Sequence, residues 1–119
     1  MNERQIQNDI IKLLRLNGWF AYAADTKGTF DPVKKVFRAN PSRVTGVSDI
    51  LAIKKGRVLF LEVKTPDNES GPLKNGQSDN QIEFERNIKA QGGEYYVVRS
   101  IHDVQVIMAY KTNSGIYGC

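Results

Sequence analysis

The sequence predicts an α/β fold: a mixed four-stranded sheet flanked by helices, in the order αβββαβα. Three observations carry this. Ile6, Ile10, Leu13 and Leu14 recur at helical spacing, and Asn17-Gly18 supplies a stop. Ile50–Ile53 and Val58–Leu61 are apolar runs separated by Lys54-Lys55-Gly56-Arg57, which reads as strand, turn, strand. A second helical stretch from Ser78 to Gln91 precedes one more strand, so the sheet is mixed and helix-flanked.

In chain order, the first helix runs from about Glu3 to Leu16, and Trp19 to Ala24 reads as a strand. Asp25 to Thr45 is a long irregular segment holding Gly28, Pro32 and Pro41. Loops this long in compact domains are usually functional or disordered. Lys27, Lys34, Lys35, Arg38 and Arg43 outnumber Asp25 and Asp31 there, with Phe30 and Phe37 among them. Basic residues interleaved with aromatics suit a phosphate backbone and exposed bases. The alternative is a solvated loop with both phenylalanines tucked beneath it.

After the hairpin, Pro66 to Gln77 is a polar loop that either closes over a substrate or is simply mobile. Ser78 followed by Gln81 is a capping-box pattern, and Gly92-Gly93 ends that helix. Tyr95 to Arg99 is the last strand. Ser100 caps a final helix over about Ile101 to Tyr110, with Asp103 at its third position. His102, remote from every acid cluster, reads as structural or exposed. A single domain is expected over residues 1–111, with 112–119 a loose tail.

A chain of 119 residues supports one domain and one modest core. With 40% hydrophobic and 25% charged residues, it reads as a soluble globular protein. No apolar run approaches the ~20 residues of a membrane span, and Met1–Gln5 has no signal-peptide core. Cys119 is the only cysteine, which excludes an internal disulfide and a thiolate metal cluster. A reducing cytoplasm is the expected compartment. The net charge of +4 is mildly basic and suits nucleic acid or another polyanion.

The chemistry lies in the hairpin. With Lys55-Gly56 as its turn, Lys54 faces Arg57, Ile53 faces Val58 and, continuing outward, Asp49 faces Glu62. Opposed residues have Cβ atoms about 4.5–5.5 Å apart. Two carboxylates that close repel unless something neutralises them, and a divalent cation would do so. Lys64, two residues after Glu62, shares its face. Ordinary charges on a solvated face fit poorly, because both faces between the acids are apolar and such strands are usually covered on both sides.

Four segments together resemble the VRR-NUC (virus-type replication-repair nuclease) family of the PD-(D/E)xK nuclease superfamily, in its small stand-alone form. They are Glu3-x-x-Ile6-Gln7, Gly46-Val47-Ser48-Asp49, Leu61-Glu62-Val63-Lys64-Thr65-Pro66, and Ser78-Asp79-Asn80-Gln81 opening the helix that ends at Gln91-Gly92-Gly93. Ser48 stands where the family often has proline, and the loop between Pro66 and Ser78 looks longer than the family minimum.

The resemblance implies that Asp49 and Glu62 are metal ligands, joined by the Val63 carbonyl, and that Lys64 is the catalytic lysine. It places Glu3 near the metal, through water or at a second cation. It has Gln81 contact the lysine or the metal's water, and Gln7 support the site. Glu3 is equally an ordinary acid in a first helical turn, and Gln81 equally a helix cap.

All-oxygen ligation suits Mg²⁺ or Mn²⁺. The implied activity is metal-dependent hydrolysis of DNA phosphodiesters, selective for structure rather than sequence. A homodimer acting on four-way junctions or other branched DNA is the implied assembly, and a phage or prophage gene the implied setting. The alternatives are a non-catalytic DNA-binding module with this fold, a restriction-type enzyme and a ribonuclease.

Overall fold

Asn2 starts the chain's first helix. Its side chain accepts from the Gln5 N–H at 2.9 Å, and Gln5 Oε1 accepts from the Asn2 N–H at 3.1 Å. This reciprocal cap satisfies two of the four donors that a helix start leaves unpaired. Helix α1 then runs Glu3–Leu16, burying Ile6, Ile10 and Leu14 on one stripe. Gly18, at φ +86°, turns the chain out of it.

The structure, a computed structural model, describes residues 2–24, 29–31, 36–38, 44, 46–65 and 77–110, with backbone only for 29–31 and 36–38. Its elements after α1 are β1 (Phe20–Ala23), β2 (Thr29–Asp31), β3 (Val36–Arg38), β4 (Ile50–Lys54), β5 (Arg57–Val63), α2 (Asp79–Ala90), β6 (Glu94–Val98) and α3 (Ile101–Met108). The main sheet has the order β1-β4-β5-β6. The β1–β4 and β4–β5 pairs are antiparallel, and β5–β6 is parallel across the α2 connection. This is the predicted mixed four-stranded sheet with three helices.

One expectation changes. The segment read as irregular contains a two-stranded antiparallel ribbon, β2–β3, with Phe30 opposite Phe37. Strands of three residues are too short for alternation to register. Lys27, Lys34, Lys35 and Arg43 lie outside the described residues, as do most of the loop expected over Pro66–Gln77 and the 112–119 tail. Arg38 is placed by its backbone alone, in β3.

The β4–β5 turn is the predicted one. Lys55 and Gly56 both have positive φ, +49° and +84°, the signature of a type I′ turn whose twist matches the strands. Lys54 pairs with Arg57 and Ile50 with Leu61. Alternation then sorts β5 by parity. Leu59, Leu61 and Val63 join Ile50, Ala52 and Val98 in a core under α1 and α3. The other face carries Val58, Phe60 and Glu62. There α2 lays Phe84 against Phe60 and Tyr95, with ring centroids 5.7 and 6.1 Å away.

Coverage of that second face is therefore partial, contrary to the expectation from the hairpin's apolar residues. Phe84 is the only residue α2 buries, and Phe20 and Tyr22 on the same face stay exposed.

Arg57 is buried beside this core. Its guanidinium forms a two-pronged pair with Glu94 at 2.7 and 2.9 Å. It also donates to the carbonyls of Ile107, Met108 and Tyr110, the open C-terminal end of α3. The charge sits 5.8 Å from the Trp19 ring centroid. One side chain thus ties β5, β6, α3 and the α1–β1 connection.

Candidate active site

Asp49 sits where the chain enters β4. Its carbonyl accepts from Ala24 N at 2.8 Å, and its Oδ2 accepts from Val63 N at 2.8 Å. The side chain is thus anchored across the hairpin to the backbone of the partner strand. Ser48, fully buried, donates from Oγ to the Ile50 carbonyl at 3.4 Å.

Gly46 makes this entry possible. Its φ is +75°, and a Cβ there would lie 2.3 Å from the Asn80 backbone oxygen and 2.7 Å from Gln81 N. The loop therefore lies directly on the first turn of α2. Gly46→Ala is expected to push loop and helix apart and destabilise the protein by about 1–3 kcal/mol. Urea denaturation measures the loss, and a wild-type midpoint would contradict the close packing.

Glu62 is 3% exposed. Its Oε2 accepts from Gln81 Nε2 at 2.9 Å and faces Lys64 Nζ at 3.5 Å. Its Oε1 is buried with no hydrogen-bond donor among the described residues. Burial, and then the adjacent Asp49 charge, push the Glu62 carboxyl up to about 8, against the downward pull of Lys64. The opposed acids inferred from the turn therefore do meet and interact, and one lysine does not offset the cost of placing both charges there.

Gln81 has two roles at once. Its Oε1 accepts from Ser78 N at 2.9 Å, closing a capping box, while its Nε2 holds Glu62. Its partner is the acid, not the lysine. Lys64 N donates to the Val98 carbonyl at 2.9 Å, which fixes the backbone beneath its side chain.

Among the described residues, no hydrogen bond or ion pair joins Glu3 or Gln7 to this cluster. Glu3 is exposed and Gln7 half-buried on α1, which packs on the opposite face of the sheet. Because α1 leads through Asn17–Trp19 into β1 at its Phe20 end, the Glu3 end of the helix lies toward the Asp49 end of the sheet. Among the described residues, no three His, Cys, Asp or Glu side chains form a metal-holding group.

Asp49 and Glu62 nevertheless fit a small hard cation. Mg²⁺ commonly uses one or two carboxylates and fills its remaining positions with water and substrate phosphate. A buried carboxylate oxygen without a donor, beside a second acid, is what such an ion would satisfy.

Gln77 gave no functional signal in the sequence, where it read as the end of a polar loop. It is 4% exposed and donates from Nε2 to Glu85 Oε1 at 3.1 Å and the Tyr95 hydroxyl at 3.3 Å. It pins the start of α2 to β6, and so sets where Gln81 meets Glu62. Only its place just before the Ser78 cap hinted at this.

No protein-family model matches the sequence, and no curated protein does. A solved structure described as "VRR_NUC domain" superposes with a TM-score of 0.63 at 17% identity, over 92% of this chain and 97% of that one. The chain has the VRR_NUC fold. The match spans nearly the whole of both chains, so it rests on the full arrangement of helices and sheet and not on the hairpin alone. Within the VRR_NUC fold of this chain, the described acids and lysine gather at the ends of the two central strands, beneath the first turn of α2.

Proposed function

We propose that this chain is a metal-dependent nuclease that hydrolyses phosphodiester bonds in DNA. The observation that carries the reading is the Asp49–Glu62 pair: two interacting acids, one with a buried oxygen that meets no donor among the described residues, beside Lys64 on a VRR_NUC fold. Asp49 and Glu62, with the Val63 carbonyl, would hold Mg²⁺ or Mn²⁺, and Glu3 would join them through water or at a second ion. When bound, such an ion polarises a phosphate oxygen and makes water a better nucleophile.

The protein's own groups have separate tasks. Gln81 fixes the Glu62 carboxylate. Lys64 places a positive charge beside the acids, where it can orient water and offset charge developing on the phosphate. Gln7, half-buried one turn after Glu3, would support the site from α1. Lys27, Lys34, Lys35, Arg38 and Arg43 would make sequence-independent backbone contacts that weaken with salt. Paired cuts in branched DNA would need two such sites, hence a homodimer.

The test compares duplex, flap, four-way-junction and RNA substrates at equal salt, with Mg²⁺ or Mn²⁺ added and withheld. Cleavage of DNA only with metal, strongest on branched forms, is expected. Binding without cleavage in both metals would leave a non-catalytic DNA-binding module.

A further inference from the structure

Strand β1 turns Ala21 into the core and Phe20 and Tyr22 away from it. Ala21 is 2% exposed, whereas Phe20 is 67% and Tyr22 39% exposed. The two rings lie side by side, with centroids 5.5 Å apart and planes tilted by 53°. Large aromatic rings left in water on an outer strand are costly ornaments unless something covers them.

Sheet register places them relative to the acids. Phe20 pairs with Ile53 and Tyr22 with Leu51. Leu51 and Asp49 are two residues apart on one strand and share a face. The Ala24 N–H to Asp49 carbonyl bond carries the pairing one step further. Tyr22 is therefore a diagonal neighbour of Asp49, a relation that puts two residues roughly 7–8 Å apart and their Cβ atoms somewhat closer. Phe20 follows one step farther from the acids. α2, whose buried residue Phe84 packs on Phe60 and Tyr95, lies toward the other edge of the sheet.

We propose that Phe20 and Tyr22 form a stacking platform for unpaired bases next to the scissile phosphate, making this chain selective for nucleic acid with a single-stranded stretch at the cut. The inference rests on the nuclease reading and adds a substrate class to it. Every base has a π-face, so such a platform ignores sequence but demands that bases be unstacked from a duplex. The net charge of +4 favours a polyanionic partner for the chain as a whole. A second copy of the chain is the poorer occupant. Two rings present at most about 500 Å², below the roughly 800 Å² per partner of a stable interface.

The experiment uses the whole chain in EDTA, so that binding is read without cleavage. Probes are a 2-aminopurine single-stranded oligonucleotide and a blunt duplex of the same sequence. Wild type is expected to change 2-aminopurine fluorescence on binding. Phe20→Leu and Tyr22→Leu should each weaken single-strand affinity roughly 5- to 150-fold, the range of one lost base stack, with duplex affinity unchanged. Thermal melts check that each variant is folded.

Unchanged single-strand affinity in the double variant would overturn the proposal. So would unchanged affinity with a smaller sedimenting species, which would make the pair an interface between copies. Wild type that stacks single strands yet never cleaves any substrate would fail the nuclease reading alone.

Discussion

Glu62→Gln is expected to abolish cleavage and leave the metal-free protein at least as stable as wild type. The reason is that the buried Glu62 carboxyl is pushed up to about 8, so in the absence of a cation it is protonated at neutral pH and glutamine resembles that form. Its folded-state value lies above its unfolded one, so the folded chain binds more protons between about pH 4.5 and 8. Metal-free wild type should therefore lose stability as pH rises through that window and level off above it. In Glu62→Gln that slope should be gone. Urea midpoints from pH 5 to 9 in EDTA measure it, and a wild-type slope in the variant would show that Glu62 is not its source. Asp49→Asn and Lys64→Ala are expected to lower cleavage by about 10²-fold or more, with normal cleavage by both ruling out the proposed chemistry.

The largest loss of stability is expected from Arg57→Met. That change leaves Glu94 partly buried without its cationic partner, still accepting from the Tyr96 hydroxyl, and strips donors from three carbonyls at the end of α3. Breaking a buried pair by removing one member typically costs about 3–5 kcal/mol. Arg57→Met with Glu94→Met should recover part of this, because no uncompensated charge remains. Chemical denaturation of the three variants tests the cycle. A single-variant loss under about 1 kcal/mol would mean that Glu94 and the α3 carbonyls find other partners.

The two networks differ in how far the sequence revealed them. The acid pair was legible because a two-residue turn fixes register, and register fixes which residues face each other. Gln81 was legible as a cap and, through family resemblance, as a site residue, but its bond to Glu62 needed the α2 crossover to be seen. Arg57 was invisible: its partners are 37 and 50–53 residues away in sequence, and it read as a turn residue. Ribbon β2–β3 was missed for want of length. Phe20 and Tyr22 were read only as part of a strand, since which strand lies outermost depends on pairing that local pattern does not encode.

The turn at Lys55-Gly56 sits about 20 Å from the acids, six residue steps down the hairpin. It touches no proposed substrate. Yet an insertion of one residue into either arm of the hairpin would turn that arm over, sending Asp49 or Glu62 toward α1 while its partner stayed beneath α2. The hairpin should therefore tolerate exchanges of one apolar residue for another far more readily than any change in length. Its spacing, rather than the identity of its middle residues, is the heritable part of the chemistry.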